Sequence, residues 1–279
     1  MIEYKKTDLD KLEEYISLYS KTFKNFSKTK DYFKWLYKEN PYGKFVGIDC
    51  YANNTLIGQV GGIPHEFIFK KNKVRFLISV NVCVHPKYQG KWIFSKMLVK
   101  FENIAKELNF DGIIGVANKA ATPFWKRSIK MKSLGPLDVF IGFGKFKKRK
   151  NNSLNYDFFT LWNQKILEWR LNNPINKSYQ NSTKEVISIY SKTNYFLIDA
   201  YSPLVFFDKS INLNLPKKNL FKPVIFMGKI SDFEKTKFLF NLPNFFKPSP
   251  LNFVYKFLKT NQVLDKKKIF FTFLEFDAF

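Results

Sequence analysis

The chain has 279 residues, 45% hydrophobic and 19% aromatic, which excludes a disordered chain and supplies core for one large domain or two smaller ones. No apolar run approaches the ~18 residues that span a bilayer, and the opening MIEYKKTDLDKLEEY lacks the apolar core of a signal peptide, so a soluble cytoplasmic protein is the expectation. The formal net charge of +24 raises a nucleic-acid or polyanion partner, but the only arginines are Arg75, Arg127, Arg149 and Arg170, and lysine lacks the bidentate geometry that reads phosphates and base edges. Lys, Asn, Phe and Ile are abundant together, as an AT-rich coding sequence would give, and nucleic-acid binding is disfavoured.

In chain order, IEYKK reads as a first strand, and Asp10 with Glu13 predicts a capping box for the helix that follows. Leu12, Tyr15, Ile16, Tyr19 and Phe23 recur at helical spacing, and YFKWLYKEN predicts a second short helix ended by Pro41. The period then changes. KFVGIDCYANNTLIGQVGG predicts two strands joined at Asn53-Asn54, because asparagine tolerates the positive φ of a tight hairpin. HEFIFKKNKVRFLISVNVCVH predicts two more, turning near Lys71-Asn72. The last of these alternates without a break: Ile78, Val80, Val82 and Val84 on one face, Ser79, Asn81, Cys83 and His85 on the other. A small polar face of this kind is a candidate cleft wall. Ile93, Phe94, Met97, Leu98, Phe101, Ile104, Ala105 and Leu108 then mark an amphipathic helix, and DGIIGVAN a buried strand. Strand, helix, strand is the crossover between parallel strands. Thr122 with Pro123 predicts a capped helix, and PLDVFIGFGKF another strand or hairpin. Cys50 and Cys83 each lie inside a strand-like run, suggesting neither a disulfide framework nor a metal cluster.

Between the polar-faced strand and the amphipathic helix lies VHPKYQGKWIFSKML, residues 84–98. The first N–H groups of a helix have no partner within it, and with the helix dipole they form an anion site to which YQGK adds a glycine and a lysine. Alone, one glycine in a crossover turn is a weak signal, and an ordinary turn is the default.

The order of elements sharpens it. Helices, an antiparallel meander, a strand ending in V-x-P-x-Y-Q-G-K, an amphipathic helix, a strand and N-x-x-A-x-x-F-W together resemble the Gcn5-related N-acetyltransferase (GNAT) superfamily over about residues 1 to 146, most closely from Ser79 to Trp125. That resemblance implies an α/β (α+β) fold: a mixed, mostly antiparallel sheet flanked by helices, whose fourth and fifth strands splay apart. It also implies acetyl-CoA or another acyl-CoA as cosubstrate, its pyrophosphate on the turn, and a small-molecule amine as acceptor. The family motif, Arg or Gln, two variable residues, Gly, one variable residue, then Gly or Ala, places Gln89 at its start, Gly90 and Lys91 at the variable pair, Trp92 at the glycine, Ile93 next and Phe94 at the Gly/Ala. Trp92 is the main departure. Its site can still bind if the backbone needs no positive φ there and the indole points away from the ligand.

The resemblance further implies carbonyl polarisation by the main chain of Val82, Cys83 and Val84, and a cofactor contact from Asn118. The family's frequent tyrosine acid falls at Trp125, which cannot serve as an acid. For a base, His65 and Glu66 or the polar strand face with Asn81 are available, with His85 expected to be structural; Cys83 as a nucleophile would need activation. No metal is implied. Beyond this region, EWRLNNP at 168–174 echoes KWLYKENP at 34–41, and each precedes Tyr-rich strands. The expected division is residues 1–148, a GNAT-like acyl-CoA-binding domain, and 149–279, a C-terminal α/β lobe that is a degenerate repeat without a counterpart of the QGKWIF turn. The basic run KFKKRK, 145–150, falls at this boundary and reads as a solvated linker, an anion-attracting patch or a membrane-surface contact, in that order. The function expected is acetyl transfer to a small amine such as an amino sugar; the alternatives are a catalytically inactive binding protein of the same fold and a polyanion binder.

Overall fold

The computed structural model describes residues 1–24, 26–148, 155–182, 187–195, 197–208, 210–217, 222–231, 233–243 and 250–276. Its elements begin with β1 (Ile2–Lys6), α1 (Leu12–Thr22), α2 (Lys30–Lys38), β2 (Val46–Ala52), β3 (Thr55–Phe69), β4 (Asn72–Ser79), β5 (Cys83–Val84), α3 (Ile93–Glu107), β6 (Gly112–Ala117), α4 (Thr122–Ser128) and β7 (Lys132–Pro136). There follow β8 (Asp138–Gly142), β9 (Phe146–Lys148), β10 (Phe158–Phe159), α5 (Gln164–Leu171), β11 (Ser178–Ser182), β12 (Ile187–Lys192) and β13 (Asp199–Leu204). The last are β14 (Val224–Lys229), β15 (Phe233–Lys235), β16 (Leu239–Asn241), β17 (Asn252–Phe257) and β18 (Phe271–Thr272).

Two compact units result, interleaved rather than consecutive. The first takes Met1–Glu66, Val74–Gly135 and Leu251–Gln262; the second takes Phe67–Lys73, Pro136–Pro250 and Val263–Phe279. The single cut expected at 148/149 gives way to this arrangement because β17, far along the chain, is hydrogen-bonded to β6 from Asn252↔Ala117 to Phe257↔Gly112. Such a pairing leaves no local signal. Nor is KFKKRK a linker: its Phe146–Lys148 portion is β9, paired with β15, while Arg149 and Lys150 lie outside the described residues.

In the first unit the strands run in the order β1-β2-β3-β4-β6-β17-β7. The hairpin at Asn53 and Asn54 has the expected positive φ at both (47° and 62°), and the next turn falls at Lys70 and Lys71 (48° and 71°). Thr29 caps α2, accepting the Tyr32 N–H at 3.3 Å. The Asp10–Glu13 box does not form: Lys11 is the N-cap of α1 without a side-chain bond, Asp8 accepts the Asp10 N–H, and Asp10 instead pairs with Lys38 at 2.9 Å. Ala121 rather than Thr122 is the N-cap of α4, and the Thr122 hydroxyl donates to the Asn118 carbonyl at 2.8 Å. On one face of the sheet, Leu77, Ile113 and Val254 pack against Met97, Phe101 and Trp125 of α3 and α4.

In the second unit the order is β11-β12-β13-β14-β8-β16, with β18 also on β14. Tyr190, Tyr201, Val224, Phe226 and Phe270 form its core. Asn163 caps α5, the helix that ends in EWRLNNP, by accepting the Ile166 N–H at 3.1 Å. Each sheet contains a parallel pair, β4 with β6 and β13 with β14, and the second strand of each pair then takes an antiparallel neighbour, β17 on β6 and β8 on β14.

Candidate functional site

The polar-faced strand is not continuous. β4 pairs in parallel with β6 from Phe76↔Gly112 to Ser79↔Gly115, and the chain then bulges at Asn81, whose φ is 52°. After the bulge β5 pairs with β3 alone, Gln59↔Cys83 and Gly58↔Val84. The alternation expected from Ile78 to His85 therefore breaks at Asn81, because a bulged residue reverses the side-chain sequence beyond it. The same break opens the sheet: Val116 and Ala117 of β6 extend past the last residue paired with β4. His85 donates its N–H to the Ile57 carbonyl at 2.7 Å, so the alternation of an antiparallel ladder turns the main-chain groups of Val84 away from β3, toward the opening.

Immediately beyond, His85 accepts the Lys87 N–H on Nδ1 at 3.3 Å, the structural role expected of it. Gln89 donates from Nε2 to the Val84 carbonyl at 2.9 Å and ties the turn to the strand it leaves. Gly90 (φ 80°) and Trp92 (φ 59°) are both left-handed. Among the described residues, no hydrogen bond takes up the main-chain N–H groups from Gly90 to Ser95. A run of unpaired N–H groups at alternating hand, opening a helix, is an anion-binding nest. Its residues fit a pyrophosphate, with Lys91 exposed beside it and lying 5.3 Å over the Tyr88 ring.

Trp92 fails one of the two conditions set for it by the sequence. Its backbone does take positive φ, as the N-cap of α3 (φ 59°, ψ 3°), which costs an L-residue about 1–2 kcal/mol. The nest geometry therefore survives the loss of glycine at the cost of strain. Its indole is 74% exposed. Ile93 is buried in the core, and Phe94 packs edge-on against Phe124 and Trp125 at 5.5 and 6.2 Å. Trp125 is itself buried in that core, a packing residue where the family often has its acid. Asn118, at the end of β6, is exposed and accepts the Ala121 N–H on Oδ1 at 2.8 Å.

The proposed bases do not converge. His65 is buried on β3, edge-on to Tyr42 at 5.4 Å. It lies four residues beyond Gly61, whose carbonyl accepts the Val80 N–H, and so about 13 Å along the strand from the bulge. Glu66 follows it; burial, then the Glu66 charge, pushes the Tyr42 hydroxyl up to about 12. Cys83 is buried, and burial pushes its thiol up to about 12, which removes it as a thiolate nucleophile at neutral pH.

Asn81 alone of the three stands at the bulge, held by a network the sequence reading missed. Its Nδ2 donates to the Tyr37 hydroxyl at 3.3 Å; the Tyr37 and Tyr19 hydroxyls lie 2.9 Å apart and both reach Gln59 Oε1, so that with one proton each, one hydroxyl donates to the other and that other donates to Gln59. Gln59 Nε2 in turn donates to Asp49 at 2.9 Å, and Tyr15 and Thr7 donate to the same carboxylate at 2.7 and 2.8 Å. Burial pushes the Asp49 carboxyl above its ordinary value, against the pull of those three bonds. The available signal was a polar residue inside each of two apolar strands, Asp49 in VGIDCYA and Gln59 in TLIGQVGG.

Residues 3–124, fewer than half of the chain, match a family model described as an acetyltransferase (GNAT) domain. The class that this match points to is that of the GNAT-type acetyltransferases. The match ends before β7 and β17, so it covers most of the first unit and none of the second beyond Phe67–Lys73. No curated protein matches the sequence. Among solved structures, the chain is similar to a GCN5-related N-acetyltransferase from Anabaena variabilis, with a TM-score of 0.59 at 11% identity over 93% of this chain and 73% of that one. It is equally similar to a GCN5-related N-acetyltransferase from Kribbella flavida, with a TM-score of 0.59 at 10% identity over 92% and 72%. At these identities the likeness concerns fold alone, and it extends over both units. Among the described residues, no helix is long and apolar enough to cross a membrane, and no group of three His, Cys, Asp or Glu could hold a metal.

Proposed function

We propose that the chain transfers an acetyl group from acetyl-CoA to the amine of a small molecule, such as an amino sugar or a nucleotide-linked amino sugar, by direct attack within a ternary complex. The observation that carries this reading is the run of unpaired N–H groups from Gly90 to Ser95 at the mouth of an opened sheet. Acyl-CoA, when bound, supplies the activated acyl thioester. Gly90 to Ser95 would hold its pyrophosphate, Gln89 fixes the turn, and the outward main-chain N–H of Val84 offers a donor to the acyl carbonyl. Asn118 lies at the facing strand end. Asn81, its Nδ2 engaged by Tyr37, keeps its Oδ1 as the acceptor that would take a hydrogen from the acceptor amine. A neutral, buried Cys83 disfavours a covalent acyl-enzyme and supports direct attack.

Calorimetry with acetyl-CoA on the wild type and Gln89→Ala, followed by thiol release with a panel of amines, tests this. Micromolar binding is expected, weakened about ten-fold by Gln89→Ala, the scale of one hydrogen bond, with thiol release that depends on the amine. Absence of binding at high micromolar acetyl-CoA would sink the reading. Binding with no amine-dependent thiol release would leave a GNAT-fold binding protein.

A further inference from the structure

We infer that the Trp92 indole stacks on the adenine of acyl-CoA, so that the turn selects a nucleotide-bearing donor over a bare phosphopantetheine thioester, given that Gly90 to Ser95 hold the pyrophosphate as proposed. Two unfavourable features coincide at this residue. It occupies a left-handed conformation that glycine would adopt without strain, and it leaves a large apolar ring 74% exposed. Among the described residues, no ring or cation contact engages that indole, whereas Trp35, Trp125, Trp162 and Trp169 are all buried. A packing role does not account for it.

Ligand chemistry does. In a nucleoside pyrophosphate the base is separated from the 5′-phosphate by a single ribose, so a phosphate held by the N–H groups of Gly90 to Ser95 carries its base close to the turn. Trp92 contributes both its own N–H to that run and the exposed aromatic face. Stacking on an aromatic face tolerates any base and is worth roughly five- to hundred-fold in affinity. Pantetheine, on the other side of the pyrophosphate, leads into the sheet opening at Val82 to Val84, away from the ring.

Because Trp92 is the one exposed tryptophan of the five, acrylamide quenching of intrinsic fluorescence reads it selectively. The full-length protein is titrated with acetyl-CoA, with adenosine 3′,5′-bisphosphate and with acetyl-4′-phosphopantetheine. The first two are expected to shield the exposed tryptophan, and the third to leave it quenchable. Trp92→Gly should weaken acetyl-CoA roughly ten-fold or more without changing the affinity for acetyl-4′-phosphopantetheine, and Trp92→Phe should recover most of the loss. If acetyl-CoA binds while Trp92 stays fully quenchable, or Trp92→Gly binds it as well or better, stacking is overturned and the CoA site stands. Equal shielding by acetyl-4′-phosphopantetheine overturns it as well. If acetyl-CoA does not bind at all, the donor assignment itself falls, and stacking with it.

Discussion

The two units use the same sheet plan and differ in what connects their parallel strands. In the first, residues 80–111 carry the bulge at Asn81, the left-handed turn through Gly90 and Trp92, and α3. In the second, residues 205–223 are a shorter connection with no helix among its described residues. The strands and their antiparallel neighbours therefore build the fold, while in the first unit the connection between the parallel pair builds the anion nest. Among its described residues, the second unit keeps the sheet plan without the nest-bearing helix.

That comparison breaks if the antiparallel neighbour is peripheral. Phe253 on β17 is fully buried in the first unit, as Phe226 on β14 is in the second. Phe253→Ala should cost about 3–5 kcal/mol in urea denaturation, the range for a buried phenylalanine. Lys259→Ala, which removes an exposed pair with Asp111, should cost under about 1 kcal/mol. Equal effects would show that β17 does not hold the first sheet together.

Two buried glutamates sharpen the contrast with opposite pH signatures. In the second unit burial pushes Glu275 from 4.5 to about 7, against hydrogen bonds from the Thr272 N–H and hydroxyl at 2.7 and 2.9 Å. The folded state then keeps a proton that the unfolded chain has released. Its contribution is fully present below about pH 4.5 and is lost as pH rises to about 7, a change on the order of 3 kcal/mol. In the first unit burial also pushes Glu102 up, but Lys106 and Lys256 at 2.6 and 2.7 Å pull it lower overall. Its contribution is present above its ordinary pKa and lost as pH falls. Chemical denaturation from pH 4 to 8 should show Glu275→Gln falling less steeply than wild type with rising pH, and Glu102→Gln falling less steeply with falling pH. The same slope for both variants would contradict the assignment.

The helices, the Asn53-Asn54 hairpin and the α3 crossover were legible because each is specified by neighbours in sequence. The interleaving was not, since β17 reads as an ordinary strand until β6 is seen beside it, and no spacing rule reports a partner so far away. Within the site, the Gln89 turn was legible from its place before an amphipathic helix. The bulge was not, because Val80, Asn81 and Val82 continue a perfect alternation, and only the left-handed φ of Asn81 breaks it. His65 and Glu66 suggested a base by residue type alone; their distance from the bulge is a property of how β3 runs.

Trp92 gives the smallest effect and the most direct view of what the connection costs the first unit. Replacing it by glycine removes left-handed strain of about 1–2 kcal/mol, while the freer unfolded chain takes back roughly 0.5–1 kcal/mol. An indole this exposed adds little burial to lose. Trp92→Gly should therefore stabilise the ligand-free protein by about 0.5–1 kcal/mol in urea denaturation, even as it weakens acetyl-CoA. No left-handed tryptophan occurs among the described residues of the second unit, where Trp162 and Trp169 are buried, so truncating either should destabilise. A destabilised Trp92→Gly would mean that the indole packs in solution, and the strain would then be structural rather than held for a ligand.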